Sequence, residues 1–343
     1  MLTNNSYIPF TVQTTRGIIP VNELNIGDKV YEYGTSDLLE VTAVLNPTFE
    51  SVFTVYYTDG RITKNQLTDL ILNGNEVVPL YKLLWKEDYK PIKQIPIDYH
   101  KGVPVAPVFP DPYLAGILLT HCDIHNPVIS IPLGAKQAIT ILRDKYNIEF
   151  ENDPDKNIAH LNIVDDGENH HYCMTWLDTF KEEIVKYRIP DKFKYATIRE
   201  RIQFIRGVFD TGYDKNIMPH SVGITHIDES YLKEIQLMLG SLGITSTISY
   251  APLIYPEQKE VYRLDIVNEK ADYPGFFYAI ENIENMIMNG QDMIGEDIRY
   301  NFAINDIKLL GSGYMNNIVL NKKHAIYIDG NCLPRVAAIK KPD

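Results

Sequence analysis

The chain has 343 residues, which is enough for two or three domains with cores of their own. Its formal net charge of -12 counts against a nucleic-acid-binding class, because Lys and Arg contacts to phosphates supply most of the affinity for nucleic acids. No long apolar run is present, and no basic region precedes an apolar run at the start, so we expect neither a transmembrane helix nor a secretory signal. The three widely spaced cysteines argue against a disulfide framework and favour a reducing compartment.

The chain up to about residue 85 predicts a region of short β-strands. Its apolar segments are rich in β-branched and aromatic residues, and turn pairs such as Gly27-Asp28 and Asp59-Gly60 separate them. The expected strands are Ile8–Thr14, Ile18–Val21, Lys29–Tyr33, Val41–Leu45, Val52–Tyr57 and a return strand beginning at Arg61. The next segment, 91–111, is rich in proline and is interpreted as a linker.

From residue 112 the pattern changes to mixed α and β, and one order of elements occurs twice. Each half begins with a short apolar helix and continues with a strand, a second helix, two strands and a third helix. The first half comprises 112–123, 128–132, 135–146, 148–152, 158–164 and 172–187, and the second comprises 198–209, 221–225, 229–242, 245–250, 261–267 and 275–289.

The two opening helices, Pro112–Asp123 and Gln203–Asp214, each have a glycine near the middle, Gly116 and Gly207. A glycine inside a helix costs about 1 kcal/mol relative to alanine. Two such glycines in matching places predict two helices so close together that only glycine fits.

The last part of the chain, from about residue 296, is again β-like, with strands expected at Asn301–Leu310, Met315–Asn321 and His324–Ile328. Neither terminal β piece is long enough to build a good core alone. We therefore expect the mixed α/β region to be inserted between two pieces of one β domain.

The tandem glycine-centred helices, each opening an α/β repeat, resemble the LAGLIDADG homing endonucleases. The segments Arg188–Asp210 and Asp228–Ile244 resemble that family's approach to its second motif and its following helix. The flanking segments Val21–Tyr31, Asp59–Leu67 and His324–Gly330 resemble blocks of the Hint fold of inteins.

This resemblance implies an α+β fold in which a two-repeat LAGLIDADG domain of αββαββα type is inserted in a mostly-β Hint-like domain. The implied boundaries are 1–90 and 291–343 for the Hint-like parts, 91–111 for the linker, and 112–290 for the endonuclease-like domain, with repeats of about 112–190 and 196–290.

The resemblance further implies an acidic residue at the end of each glycine-centred helix, where paired carboxylates hold divalent metals against DNA. These positions fall at His121 and Gly212, and neither is a carboxylate. Asp123 and Asp214 lie two residues further on, so a shifted pair that binds Mg²⁺ is the alternative. The resemblance also implies that Asp210, two residues before Gly212, belongs to the packed motif rather than to the metal ligands.

Two other groups of residues are possible ligands. The run His121-Cys122-Asp123-Ile124-His125 resembles half of a metal site, but zinc sites take ligands from two separated groups. The pair His170-His171 is interpreted as part of a solvated loop. The metal-binding residues therefore stay unassigned.

Splicing requires a nucleophile at the first position, a Thr-x-x-His block and a terminal Asn followed by Cys, Ser or Thr. Ser6 stands near the expected start, and Gln66 occupies the place of the block histidine. Asn331 and Cys332 form an Asn-Cys pair, but spacing from His324 puts the expected junction at Pro334-Arg335. Because Gln cannot shuttle a proton near neutral pH, these residues favour lost splicing.

Together these features predict a degenerate LAGLIDADG and intein-like protein that serves as a structural or interaction module in a viral or mobile-element assembly. The alternatives are a divalent-metal-dependent DNA endonuclease and a splicing-competent intein. The basic stretches Lys136–Lys145 and Lys181–Arg206 are interleaved with acids, which is typical of solvated helix faces. We therefore expect a protein partner rather than DNA, no cofactor unless cleavage needs Mg²⁺, and a cytoplasmic or virion location.

Overall fold

The computed structural model describes most of the chain, and all structural statements concern these residues. They are 10–86, 89–93, 96–101, 111–121, 128–132, 136–146, 149–153, 158–162, 188–212, 223–251, 261–266, 301–321, 325–328, 333–336 and 338–339. The fold is mixed α and β, with small antiparallel sheets and short helices. None of the helices in these ranges is long and apolar enough to cross a membrane.

The described strands, in chain order, are β1 (Thr11–Thr14), β2 (Gly17–Pro20), β3 (Lys29–Tyr31), β4 (Leu38–Val44), β5 (Thr48–Tyr57), β6 (Ile62–Gln66), β7 (Leu70–Asn73), β8 (Glu76–Pro79), β9 (Ile92–Lys93), β10 (Val128–Pro132), β11 (Glu149–Asp153), β12 (Ile158–Asn162), β13 (Gly223–His226), β14 (Ser246–Ala251), β15 (Val261–Ile266), β16 (Asn301–Phe302), β17 (Ile304–Met315), β18 (Ile318–Leu320), β19 (Ala325–Ile328), β20 (Leu333–Val336) and β21 (Ala338–Ile339). The described helices are α1 (Pro112–His121), α2 (Lys136–Tyr146), α3 (Asp191–Lys194), α4 (Ile198–Gly212) and α5 (Glu229–Ser241). Short 3₁₀ turns occupy Val21–Glu23 and Leu80–Lys82.

The chain divides into two compact units. The first comprises residues 1–101, 239–247 and 299–343, and the second comprises 102–238 and 248–298.

The first unit is built mainly from antiparallel strands, and β18 and β21 pair in parallel. A ten-stranded sheet has the order β21-β18-β4-β3-β1-β19-β20-β7-β8, with β2 paired to β1, and β17-β5-β6 form a second sheet. β5 is rich in β-branched and aromatic residues, and it pairs with β17 from Thr48 opposite Met315 to Tyr57 opposite Ile304. Segments from both ends of the chain therefore share these sheets and one apolar core, which includes Val12, Val55 and Ile326.

The second unit contains α1 to α4, most of α5, the three-stranded sheet β10-β12-β11 and most of the three-stranded sheet β13-β15-β14. Capping residues set the helix starts. Asp111 precedes Pro112 and accepts the amide of Tyr113 at 3.0 Å. Thr197 and Glu200 form a reciprocal capping box at the start of α4.

Several strand boundaries differ from those expected. Strand β1 begins at Thr11 rather than Ile8, and β3 ends at Tyr31. Strand β2 ends at Pro20, where the chain enters a 3₁₀ turn. The expected strand Asn301–Leu310 is interrupted at Ala303 because its two parts pair with different strands, β9 and β5.

The Pro-rich segment does not begin as a free linker. Ile92 pairs with Phe302 in the β9–β16 ladder. Ile97 is fully buried, and its amide donates to the carbonyl of Ser241 at 2.9 Å. Isolated apolar residues between the prolines are therefore used for core packing in the first unit.

Sequence reasoning also missed some elements. The hairpin β7–β8 turns at Gly74, whose φ of 64° is the left-handed conformation that glycine adopts readily. The final strands β20 and β21 were not expected either. The helices expected at Tyr172–Tyr187 and Gly275–Asn289 lie outside the described residues.

Candidate functional site at the helix pair

The glycines of α1 and α4 lie against each other's helix backbone. A Cβ added to Gly116 would lie well under 3.0 Å from the carbonyl oxygen of Phe204 and 3.0 Å from the amide nitrogen of Val208. A Cβ on Gly207 would meet the carbonyl oxygen of Tyr113 and the nitrogen of Ile117 in the same way. Both glycines therefore occupy positions where the two backbones leave no room for a side chain.

Helix α1 is apolar all round because it is buried all round. Every residue from Tyr113 to Leu119 is buried in the second unit, and Leu114, Ala115, Ile117 and Leu118 have no exposed surface. Burial of a Val, Leu or Ile side chain contributes about 1.5–3 kcal/mol. The helix pair is thus the hydrophobic centre of this unit.

A hydrogen bond between side chains crosses the helix contact. The hydroxyl of Tyr113 donates to Oδ2 of Asp210 at 2.8 Å. Burial raises the pKa of Asp210 to about 6, while the Tyr113 hydrogen bond and the nearby Arg206 charge act in the opposite direction. Burial and the Asp210 charge raise the pKa of the Tyr113 phenol. The sequence marked Asp210 as part of the packed motif but did not identify its partner.

A second polar contact joins α1 to α5. The hydroxyl of Thr120 donates to the carbonyl of Gly116 at 2.8 Å and lies 2.9 Å from the hydroxyl of Tyr231. Because the Thr120 proton is used inside α1, Tyr231 is the donor in the second bond. The ring of His226 packs on Tyr231 at 4.7 Å between centroids, and burial lowers the pKa of His226. This contact fastens the end of α1 to the second repeat.

The two positions that the family resemblance assigns to metal ligands are the last residues of their helices. His121 ends α1 and Gly212 ends α4. Glycine has no side chain, so Gly212 supplies no side-chain ligand, and the paired carboxylates of the family are not formed by these positions. Asp123 and Asp214 lie outside the described residues. Within the described ranges there is no group of three or more His, Cys, Asp or Glu residues that could hold a metal ion.

The other expected ligands and junction residues fall outside the described part of the chain as well. These are Ser6, the run 122–125, His170, His171, Asn331 and Cys332. Pro334 and Arg335 lie in β20, opposite Tyr327 and Ile326 of β19.

Gln66 is held at both ends of its side chain. Its Nε2 donates to the carbonyl of Thr48 at 2.9 Å, and its Oε1 accepts the Thr48 hydroxyl at 3.1 Å. Its backbone amide donates to Oδ2 of Asp69 at 2.7 Å. Buried Thr63 and Asn65 lie beside it on β6, and the Asn65 amide donates to the Thr63 hydroxyl at 2.8 Å. The Gln66 side chain therefore fastens β6 to the start of β5.

The turn between β5 and β6 contains a buried ion pair between Asp59 and Arg61. Nε of Arg61 donates to Oδ2 of Asp59 at 2.7 Å, and both side chains are almost fully buried. The Arg61 guanidinium also lies 4.6 Å from the ring centre of Phe302. Sequence reasoning read Asp59 and Gly60 only as a turn. The Asp-Gly-Arg order was the available signal, but the covering Phe302 is more than 200 positions away in the chain.

The basic stretches near the helix pair carry ion pairs. On α2, Arg143 contacts Asp144, and Lys145 contacts Asp111 at 2.8 Å. On α3, Lys194 contacts Glu234 at 2.9 Å. Arg143 and Lys145 are exposed, as is typical of a solvated helix face, whereas Lys194 and Glu234 are partly buried.

Residues 199–271, within the expected second repeat, match the model of a LAGLIDADG-like domain. Mesophilic variants of the homing endonuclease I-DmoI are 16% identical to the chain, with a TM-score of 0.32, and the match covers 52% of this chain and 94% of that one. A complex of I-DmoI with DNA and Mn is 18% identical, with 52% and 93% covered and a TM-score of 0.30. The gp41-1 intein is 17% identical, with 22% of this chain and 57% of that chain covered and a TM-score of 0.20. No curated protein matches the chain.

Proposed function

We propose that this protein is a LAGLIDADG-like protein with Hint-like flanks that has lost DNA cleavage and splicing and acts as a structural or interaction module. The observation that carries this proposal is the helix pair. Its backbone contact at Gly116 and Gly207 is closed, while the two metal-ligand positions of the family hold His121 and Gly212. Such endonucleases need carboxylates at these ends to hold the metals that activate water.

The carboxylate that is described at the helix contact has another role. Asp210 accepts a hydrogen bond from Tyr113 across the pair, and the Oδ1 atom of its carboxyl group is buried. A carboxylate that binds a catalytic metal must instead face the open end of the pair. The use of Asp210 for helix packing supports retention of the fold without the metal chemistry.

Charge argues against DNA as the main partner. The net charge is -12, and strand β11 carries Glu149, Glu151 and Asp153 at alternate positions. Carboxylate groups repel phosphates.

The clamp at Gln66 supports the loss of splicing. Both polar ends of its amide are used by Thr48, and an amide cannot act as a general acid or base near neutral pH as a histidine does. The Gln66 side chain instead fastens β6 to the start of β5. Strand β6 therefore contributes to the stability of the first unit.

An acidic protein with a maintained core suits a protein partner with a basic surface. We infer that this partner belongs to a viral or mobile-element assembly, which is the setting in which the resembled families occur. The corresponding location is the cytoplasm or the virion.

The cleavage part of the proposal is tested with genomic DNA from the source and with supercoiled plasmid, each incubated with the full chain and Mg²⁺ or Mn²⁺. We expect no metal-dependent nicks above those of a chelator control. Nicks that disappear in both Asp123→Asn and Asp214→Asn would establish the endonuclease alternative instead. Circular dichroism of every variant checks that the chains are folded.

Mass spectrometry of the expressed chain tests splicing. We expect one intact species of 39.3 kDa. A ligated or cleaved product that disappears in Asn331→Ala would establish the intein alternative.

A further inference from the structure

Strand β6 is an edge of the sheet β17-β5-β6, and no described strand pairs with its other side. At the turn that leads into the β5–β6 ladder, the amide of Tyr57 donates to the carbonyl of Arg61 at 3.0 Å. This pair continues the register of the ladder, in which hydrogen-bonded and non-hydrogen-bonded pairs alternate. The odd-numbered residues of β6 therefore direct their backbone groups at β5, and the even-numbered residues direct theirs at the open edge.

The outward backbone groups of β6 are satisfied at one end of the strand and open at the other. The amide of Gln66 donates to Oδ2 of Asp69 at 2.7 Å, and its carbonyl accepts the amide of Asp69 at 3.1 Å. At Ile62 and Lys64, no described residue supplies a partner for the outward amide and carbonyl. An extended peptide that adds to a sheet edge pairs with backbone groups of this kind.

The side chains beside the open edge are basic and partly apolar. Lys64 and Lys308 flank Thr54 in one row across the sheet, and both lysines are exposed. Lys308 contacts Asp306 at 2.9 Å, whereas Lys64 has no ion pair with any described residue. Ile62, on the same face of β6, is 42% exposed. An added strand would therefore place its outward side chains beside an apolar residue and an unneutralised ammonium group.

We propose that the β6 edge is a docking site for an extended acidic segment of a partner protein, which adds to the sheet beside Ile62 and Lys64. The outward amides and carbonyls bind the main chain of the segment, and Lys64 selects a Glu or Asp side chain opposite it. This inference goes beyond the proposed function, because the edge is equally open whether or not the protein cleaves DNA or splices.

Lys64 also disfavours a second copy of this chain as the occupant. A lysine on an edge strand is a common device against pairing between like edges. If two β6 edges paired through Ile62 and Lys64, the two lysines would lie directly opposite or diagonally across the new ladder. Like charges in these places destabilise a sheet. An acidic strand meets no such repulsion, so the charge of Lys64 favours a different chain.

Amide hydrogen exchange of the full chain, followed by NMR, tests whether the edge is open. We expect fast exchange at Ile62 and Lys64 and protection at Thr63 and Asn65, whose amides bond to β5. Protection of Ile62 and Lys64 in the free monomer would overturn the proposal, because another part of the chain would then cover the edge. Protection that grows with protein concentration would assign the edge to a second copy and would also overturn it.

Two synthetic peptides of equal length, Ser-Glu-Val-Glu-Val-Ser and Ser-Lys-Val-Lys-Val-Ser, are the probes for strand addition. The acidic peptide should slow the exchange of the Ile62 and Lys64 amides, and it should bind about tenfold more tightly than the basic one. Equal affinities for the two peptides, or no binding of either, would refute the docking site.

Two variants of Lys64 separate the charge from the backbone contact. Lys64→Glu should reverse the preference between the peptides. Lys29→Glu, in the other sheet of the first unit, changes the net charge equally and should leave the preference unchanged. Lys64→Pro removes an outward amide without breaking a bond to β5, and it should weaken binding of the acidic peptide. An unchanged preference in Lys64→Glu contradicts the proposal, and this variant decides if circular dichroism shows that Lys64→Pro does not fold.

Discussion

Replacement of Gly207 by alanine is the sharpest perturbation of the helix pair. In an unconstrained helix the change would stabilise the protein by up to about 1 kcal/mol. Here the new Cβ would lie well under 3.0 Å from the carbonyl oxygen of Tyr113 and 3.0 Å from the nitrogen of Ile117. Both atoms belong to a helix backbone and cannot rotate away, so α1 and α4 must separate by about 1 Å to reach normal contact distances.

That separation loosens the contacts of fully buried side chains along the pair, including Ile117 and Val208. Overpacking of this kind typically costs about 1–3 kcal/mol of folding free energy. Because the backbone atoms cannot move aside, we expect the cost of Gly207→Ala to lie at the upper end of this range. We expect a net loss of about 3 kcal/mol after the helix-propensity gain. Urea unfolding followed by far-ultraviolet circular dichroism measures it as a lower midpoint at an unchanged slope.

Three further glycine variants make the measurement specific. Gly116→Ala should cost the same, and the double variant should cost less than the sum, because one separation accommodates both methyl groups. Gly60→Ala meets no atom within 4 Å and is strained only by its φ of 82°, so its cost should be about 1–2 kcal/mol. A neutral or stabilising Gly207→Ala would refute the closed backbone contact.

Three other changes test the polar contacts. Gln66→Ala removes both side-chain bonds to Thr48 and should lower the free energy of unfolding by about 2 kcal/mol in urea, whereas a loss near zero would mean that the clamp is unimportant. Arg61→Met leaves the Asp59 carboxylate buried without its cation and should cost about 3–5 kcal/mol, and adding Asp59→Asn should recover part of that loss in the same assay. Because the pKa of Asp210 rises from 3.8 to about 6, the free energy of unfolding should contain a component that falls by about 3 kcal/mol from pH 4 to 7. This component should be missing from Asp210→Asn, and its persistence there would assign it to another group.

Local sequence patterns predicted where helices and strands occur better than they predicted which strands pair with each other. The helix around Gly116 and the strand around Val55 follow from composition and periodicity, and the structure has α1 and β5 there. The interruption at Ala303 does not follow, because it depends on which strands approach from more than 200 positions away. The hairpin around Gly74 was missed although Asn73-Gly74 is a turn signal.

The close contact of the two helices at the glycines could be predicted from the sequence, but the polar contacts around it could be predicted only in part. Matching glycines indicate a close contact, and that contact sets the register of the helices. With Gly116 against Gly207, Tyr113 lies one turn before the first glycine and Asp210 one turn after the second. The Tyr113–Asp210 bond could have been inferred from that register. The second bond of Thr120, to Tyr231 on α5, could not, because nothing in the sequence fixes how α5 approaches α1.

The most direct test of the central claim is an anomalous difference map from crystals grown with Mn²⁺ and collected near the manganese absorption edge. The claim is that the α1–α4 pair forms the packed centre of the second unit and does not hold metals. We predict no manganese peak beyond the ends of the two helices at His121 and Gly212. A peak within ligand distance of Asp123 or Asp214 would contradict the account and restore the pair as a metal centre.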